Sequence, residues 1–96
     1  MSMTTSVTPD LATRTLTVRY FAAAKAAAGT PEETVELPAG ATVADAVATL
    51  RAAHGPELAH VLQRCSFLLD EVAVRDRSVA LGGAAALDVL PPFAGG

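Results

Sequence analysis

The stretch that decides the fold of this 96-residue chain is "TVADAVATLRAAHG", residues 42–55. Thr42 and Asp45 have the spacing of an N-terminal capping box, in which each side chain accepts a hydrogen bond from the other residue's backbone N–H. Gly55 followed by Pro56 ends the predicted helix. Its apolar side chains recur at helical spacing, at Val43, Ala46, Val47 and Leu50. The stretch therefore predicts an amphipathic helix that packs one face against another element.

Two strands and a short helix are predicted before this central helix. "TLTVRYF", residues 15–21, alternates side chains with the period of two that is typical of a strand. "AAAKAAAG", residues 22–29, consists of strong helix formers closed by a glycine. "EETVELP", residues 32–38, is a second strand that ends at proline. Their spacing favours an antiparallel pair with a wide connection.

Shorter elements are predicted after the central helix. "PELAHVLQR", residues 56–64, indicates a short second helix or a turn. "CSFLLD" and "EVAVRD", residues 65–70 and 71–76, are typical of two short strands around an acidic turn. "ALDVL", residues 86–90, is the last strand, with Leu87 and Val89 on one face.

The order of the elements predicts an α+β fold. It is a ubiquitin-like β-grasp roll, in which a mixed sheet of about four to five strands is covered on one face by one main helix. We expect a flexible N-terminal tail over residues 1–13, the β-grasp domain over residues 14–90, and an extended C-terminal tail over residues 91–96.

Composition and charge exclude several classes of function. The net charge of −3 and the scattered Lys and Arg residues argue against binding of nucleic acid. The single cysteine, Cys65, excludes an internal disulfide. Residues 1–13 lack the charged and apolar regions of a signal peptide, and no apolar run has the length of a membrane span. We expect a cytoplasmic protein that neither binds nucleic acid nor enters a membrane.

The residue types of the C-terminal tail follow one another in the order expected of a segment that extends into another protein. Pro91 and Pro92 favour an extended start that leads away from the domain. At about 3.3–3.6 Å per residue, the tail spans about 20 Å. Gly95 and Gly96 carry no side chain and fit a narrow channel. We expect the tail to present a terminal carboxylate, at Gly96, to another protein.

Two residues lie between the prolines and the glycines. Phe93 is the bulky residue of the tail, and we expect it to anchor the tail at the mouth of a partner's channel, although it could instead fold back on the sheet. Ala94 is small enough to enter the channel with Gly95.

Three stretches together resemble a known family. "LTVRYFAAAKAAAG", "VELPAGATVADAVATL" and "LPPFAGG" are similar to the small subunits of molybdopterin synthase, which are ubiquitin-like sulfur carriers. The resemblance runs from Leu16 to Gly96. It implies a subunit that is not catalytic alone and that binds no cofactor or metal itself.

The resemblance also implies a reaction cycle. An activating enzyme of the ubiquitin-activating type adenylates the Gly96 carboxylate with ATP and Mg²⁺, and a sulfur donor protein converts it to a thiocarboxylate. The tail then enters the large subunit of molybdopterin synthase, in a heterotetramer, and donates sulfur to a pyranopterin precursor.

One segment departs from the family pattern. A Gly-Asp-Glu turn usually precedes the last strand in the family, whereas this chain has alanine at the aligned positions, Ala84, Ala85 and Ala86. The hydrogen bonds of that turn are therefore in question.

Two apolar residues are out of phase with the predicted core. Phe21 lies on the opposite face of its strand from Leu16 and Val18, and Leu90 is out of step with Leu87 and Val89. If the first and last strands are parallel neighbours, both residues lie near the base of the tail and form a partner-binding surface. The family resemblance suggests the same role. Coverage by the chain's own loops is the alternative.

The remaining candidate residues have ordinary roles. Cys65 alternates with Phe67 in a strand and is predicted to be buried and inert. His54 and His60 do not have zinc-ligand spacing and are predicted to be solvated helix positions. Lys25 is predicted to be a solvated lysine of the short helix, with pairing to a partner's acid or phosphate as the alternative.

Several functions remain open from the sequence. A sulfur carrier for thiamine thiazole or cysteine synthesis is the nearest alternative. A ubiquitin-like protein modifier, whose Gly96 forms an isopeptide bond, begins with the same acyl-adenylate. A plain adaptor domain has no tail chemistry.

Overall fold

A computed structural model of the protein describes residues 13–92. The predicted tail segments at residues 1–12 and 93–96 lie outside the described residues. The elements are β1 (Thr13–Tyr20), α1 (Ala22–Ala28), β2 (Glu32–Pro38), α2 (Val43–His54), α3 (Pro56–Leu62), β3 (Ser66–Leu69), β4 (Val72–Ala73) and β5 (Ala86–Leu90). The predicted α+β order is confirmed.

The strands form one mixed sheet in the order β2-β1-β5-β3-β4. β1 and β2 are antiparallel, as predicted, and β1 and β5 are parallel neighbours at the centre of the sheet. β3 pairs antiparallel with both β5 and β4. This is the mixed five-stranded sheet of a ubiquitin-like β-grasp fold.

Local signals place the two predicted helix boundaries correctly. The backbone N–H of Asp45 donates to Thr42 Oγ1 at 3.2 Å, and the backbone N–H of Thr42 donates to Asp45 Oδ2 at 2.9 Å, which completes the capping box. Gly29 ends α1 in the left-handed conformation, with φ of 79°.

The core lies between the sheet and all three helices. α2 is the main helix and buries the four apolar residues predicted from its spacing. α1 and α3 extend the cover with Ala24, Leu58 and Leu62. The sheet contributes alternate residues of its strands: Leu16, Val18, Tyr20, Leu37, Phe67, Leu87 and Val89. The opposite surface of the sheet, here called the open face, is not covered by these helices.

The structure shifts one predicted strand and shortens another. β1 ends at Tyr20, and Phe21 becomes the residue before α1. β4 has two residues because the segment after it serves another purpose: the N–H groups of Val43 and Ala44 donate to Val79 O and Arg77 O, at 3.0 and 2.8 Å. These N–H groups open α2 and have no partner within the helix. The backbone N–H of Val74 still donates to Phe67 O of β3 at 2.9 Å, and the chain reaches α2 only beyond that residue.

The turn between β3 and β4 is tight. Asp70 and Glu71 both have positive φ, 47° and 69°, as the two central residues of a type I′ hairpin turn require. None of the helices within residues 13–92 has the length and apolar content to cross a membrane.

Candidate functional site

The site begins where the two central strands end together. In the parallel pair, Tyr20 lies beside Val89. The backbone N–H of Phe21 then donates to Val89 O at 3.2 Å, so Phe21 reaches the end of β5. The expectation that Phe21 and Leu90 lie together at the base of the tail is therefore confirmed. Pro91 follows Leu90 directly, so the tail begins beside Phe21.

Phe21 points to the open face and is partly exposed. Its φ of −125° and ψ of 149° are extended, so the alternation of β1 continues through it and turns its side chain away from the core. Its exposed fraction is 41%. Ala22, with φ of 51°, then turns the chain into α1. Residues 13–92 therefore leave part of Phe21 open to a partner.

A second leucine joins these residues on the open face. In the antiparallel pairing of β3 with β5, Ser66 lies opposite Leu90 and Leu68 lies opposite Asp88, so Leu68 and Leu90 are diagonal neighbours. Both are half-buried. Phe21, Leu68 and Leu90 are called the tail-base patch below. The sequence analysis missed Leu68, although its place between Phe67 and Leu69 marks it as out of phase with the core.

An ion pair crosses the open face beside the tail-base patch. Arg19 and Asp88 are register partners in β1 and β5. Arg19 Nε donates to Asp88 Oδ1 at 2.6 Å, and Nη2 donates to Oδ2 at 3.0 Å. The hydrogen bonds and the charge of Asp88 raise the pKa of Arg19. Asp88 is only 6% exposed, and its charge is neutralised by this two-point contact.

The core side of the same strand end carries a polar cluster. The Tyr20 hydroxyl donates to Glu33 Oε2 at 2.5 Å, and His54 Nε2 lies 2.5 Å from the same oxygen. Burial, and then the bond to Glu33, raises the pKa of Tyr20. The prediction that His54 is a solvated helix position is wrong, because the end of α2 packs over β2 and brings the imidazole to Glu33.

The loop that departs from the family pattern is held by other residues. Asp70 Oδ1 accepts hydrogen bonds from the backbone N–H groups of Ala85 and Ala86, both at 2.9 Å. The Arg14 guanidinium donates to the carbonyl oxygens of Gly82 and Ala84. Contacts from the β3–β4 turn and the start of β1 thus hold the backbone at positions where the acidic side chains are missing.

The other candidate residues are placed as follows. Cys65 is buried, as predicted; its thiol donates to Val61 O at 3.3 Å, and burial raises its pKa. Lys25 and His60 are exposed helix residues. Among residues 13–92, no group of three His, Cys, Asp or Glu side chains could hold a metal ion.

The proposed channel residues divide at the limit of the described chain. Pro91 is half-buried and Pro92 is exposed. The four residues that follow, Phe93, Ala94, Gly95 and Gly96, lie outside the described residues.

A β-grasp sheet whose last strand leads into a Gly-Gly tail beside an exposed apolar patch defines the class of ubiquitin-like proteins. The ThiS family model matches residues 18–96, and the chain belongs to this family. The chain is 39% identical, over 80 residues, to the molybdopterin synthase sulfur carrier subunit of Chlamydomonas reinhardtii. That match covers 82% of this chain and 95% of the relative.

Solved structures support the fold. The chain is 26% identical in sequence to SAMP1 from Haloferax volcanii, whose crystal structure matches it with a TM-score of 0.75. The match covers 86% of this chain and 100% of that chain. The solution structure of small archaeal modifier protein 1 from Methanosarcina acetivorans is 24% identical, with a TM-score of 0.73, and the match covers 88% of this chain and 98% of that chain. At this identity the second likeness shows the fold alone.

Proposed function

We propose that this protein is the sulfur carrier of molybdenum cofactor biosynthesis and works as the small subunit of a molybdopterin synthase. It is not a catalyst alone, because it supplies the sulfur-bearing terminus and the large subunit supplies the catalytic side chains. The observation that carries the proposal is the parallel pairing of β1 with β5, which puts Phe21 beside the end of β5, where Leu90 leads into the tail. The molybdopterin synthase relative supports the pathway.

The chemistry proposed for the tail centres on Gly96. A carboxylate is a poor electrophile, so an activating enzyme first transfers AMP from Mg²⁺-bound ATP to one carboxylate oxygen and releases pyrophosphate. Sulfide, supplied by a sulfur donor protein, then attacks the acyl carbon, so that the C–S bond forms while the C–O bond to AMP breaks, and that oxygen leaves with AMP. The product is a thiocarboxylate. In this proposal the nucleotide and the metal ion are bound by the activating partner.

Docking on the large subunit is the role proposed for the tail-base patch. Covering exposed apolar side chains beside the tail lowers the free energy of the complex. This stabilisation is expected to be largest near the point where the tail enters the partner. The Arg19–Asp88 pair is already neutralised within the domain, so covering it does not leave an unpaired charge. Delivery of sulfur to a pyranopterin precursor then takes place inside the large subunit.

Intact-protein mass spectrometry tests the carrier chemistry. The purified chain is incubated with the activating enzyme, ATP, Mg²⁺ and a sulfur donor. Wild type should gain the mass of one oxygen-to-sulfur exchange at Gly96. Deletion of Gly96 moves the carboxylate back by about 3.5 Å, and a misplacement of about 1 Å already costs on the order of a hundredfold in rate. The deletion variant should therefore remain unmodified.

Gly95→Val is the matched variant, because it keeps the carboxylate but adds a branched side chain where the channel is narrow. It should also fail to react. An unmodified wild type in the presence of a demonstrably active enzyme would contradict the carrier role.

Protein modification is a second candidate function. It is favoured by the 26% identity to the Haloferax volcanii protein, whose group is named for a modifier. Both functions begin with the same acyl-adenylate and differ in the nucleophile, which is sulfur for a carrier and a lysine amine for a modifier. Higher-mass conjugates on denaturing gels, dependent on Gly96 and resistant to thiols, would favour the modifier.

Copurification from the native host separates the sulfur pathways. Recovery with a molybdopterin synthase large subunit supports the main proposal. Recovery with a thiazole synthase or a cysteine-forming enzyme would assign the carrier to that pathway instead.

A further inference from the structure

A cleft of about 230 Å³ lies on the helical side of the tail base. It is formed where α1 and α3 meet the first residues of the tail. Its lining residues are Ala23, His60, Val61, Arg64, Pro91 and Pro92. The cleft is separate from the tail-base patch, which lies on the open face of the sheet.

The charge of the cleft is opposite to that of the protein. The chain as a whole has a net charge of −3. The cleft lining contains His60 and Arg64 and no acidic residue. Both basic side chains are exposed, and neither takes part in an ion pair within residues 13–92. An exposed arginine with free donors beside an apolar floor suits a carboxylate that arrives with apolar surface.

The cleft is also continuous with the tail. Pro91 and Pro92 form one wall of it and lead into residues 93–96. Phe21 directly precedes α1, and Ala23 lines the cleft from the first turn of that helix. A protein that encloses the tail at its base must therefore cover the tail-base patch on one side and this cleft on the other.

We propose that the cleft binds an acidic rim on the protein that receives the tail, with a carboxylate of that rim paired to Arg64. The inference rests on the proposed function, since it requires a partner that encloses the tail, and it adds the chemistry of that partner's entrance. Val61, Pro91 and Pro92 supply the apolar floor on which the stem of the partner's side chain packs. The pair steers the tail toward its channel before the apolar patch is covered.

Charge reversal at Arg64 tests the inference. Arg64→Glu is compared with Arg51→Glu, which makes the same change in net charge at an exposed residue of α2 that does not line the cleft. Binding to the molybdopterin synthase large subunit of the same organism is measured by stopped-flow and calorimetry. Each affinity is measured at about 0.1 M salt, where the Debye length is about 10 Å, and at about 1 M salt, where it is about 3 Å and a surface ion pair is screened.

We expect Arg64→Glu to weaken binding by roughly 3- to 30-fold at low salt, mainly through a slower association rate. The affinities of Arg64→Glu and Arg51→Glu should converge at about 1 M salt, where the ion pair of Arg64 with the partner is screened. Arg64→Lys keeps the charge and should bind within about threefold of wild type.

Three results would overturn the inference. Equal losses in Arg64→Glu and Arg51→Glu would show that only net charge matters. Unchanged binding of Arg64→Glu would show that the cleft lies outside the interface. Tighter binding of Arg64→Glu would show that the chain's own terminal carboxylate occupies the cleft in the free protein. A wild-type chain that does not bind the large subunit at all would instead contradict the proposed function itself.

Discussion

Phe21→Asp is the substitution that best separates docking from folding. Phe21 is not part of the buried core cluster. It is the residue before α1 and makes no side-chain capping bond there. Aspartate is a favourable residue at that position, because its carboxylate accepts hydrogen bonds from the free N–H groups of the first turn. The variant should therefore fold as well as wild type while losing an exposed aromatic ring from the tail-base patch.

The size of the effect follows from the exposed area. A phenylalanine side chain has roughly 200 Å² of accessible surface. The exposed fraction of Phe21 is 41%, which leaves about 80 Å² for a partner to cover. At about 25 cal/mol per Å², this area contributes about 2 kcal/mol, or about 30-fold in Kd. Aspartate also brings a charge that must be desolvated on binding, so about 30-fold is a lower bound for the increase in Kd.

Calorimetry with the large subunit measures this loss, and Val79→Asp is the matched control. Val79 has a similar exposed fraction, 46%, and lies beside the start of α2, at the end of the sheet opposite the tail. A substitution outside the interface should change Kd by no more than about twofold. Leu90→Asp should weaken binding in the same direction as Phe21→Asp.

The reasoning would be refuted by an unchanged Kd for a folded Phe21→Asp variant, or by an equal loss in Val79→Asp. The first result would move docking away from the tail-base patch. The second would show that added negative charge anywhere weakens the complex.

Three further predictions concern the domain itself. Tyr20→Phe should remove a pH dependence of stability. The folded-state pKa of Tyr20 is raised, so its contribution to stability is full below about pH 10, the ordinary tyrosine pKa, and is lost as the pH rises from there through the folded-state pKa. Between about pH 8 and about pH 11 the melting temperature should fall less steeply with pH for the variant than for wild type, and parallel curves would contradict this. Asp70→Ala should lower the free energy of unfolding by about 1–3 kcal/mol, because two N–H groups lose their acceptor and alanine is strained at a φ of 47°. Asp70→Asn tolerates that φ and keeps an acceptor, so its free energy of unfolding in a urea titration should fall less. Equal losses in the two variants would mean that the side-chain hydrogen bonds do not hold the loop. Cys65→Ser should leave thiocarboxylate formation intact in the mass-spectrometric assay, since a buried thiol with a raised pKa is a poor nucleophile; loss of the product in a folded variant would show a direct role for the thiol.

The sequence by itself determined the helices and the order of helices and strands along the chain. The capping box at Thr42, the glycine that ends α1 and the alternation in β1 each depend on residues within a few positions of one another. Backbone sterics and hydrogen bonds over that range act in the same way in any fold, so the pattern can be interpreted without the rest of the chain. The family resemblance was also found in the sequence, in three stretches that include the C-terminal motif.

Prediction was weaker for elements whose length depends on distant partners. β4 was expected to span much of residues 71–76 but ends at Ala73, because the following segment binds the N–H groups of α2. His54 was expected in solvent but contacts Glu33 on β2. Neither partner could be identified from local spacing.

Only the tertiary structure decided what lies around the tail. Arg19 meets Asp88 across 69 residues of sequence, and Leu68 joins Leu90 only because β3 and β5 pair in one register. The cleft with Arg64 exists because residues of α1, of α3 and of the segment after α3 lie beside Pro91 and Pro92. Each of these contacts depends on strand pairing and helix packing that bury the opposite face of the sheet, and burial is a property of the whole chain rather than of any short stretch.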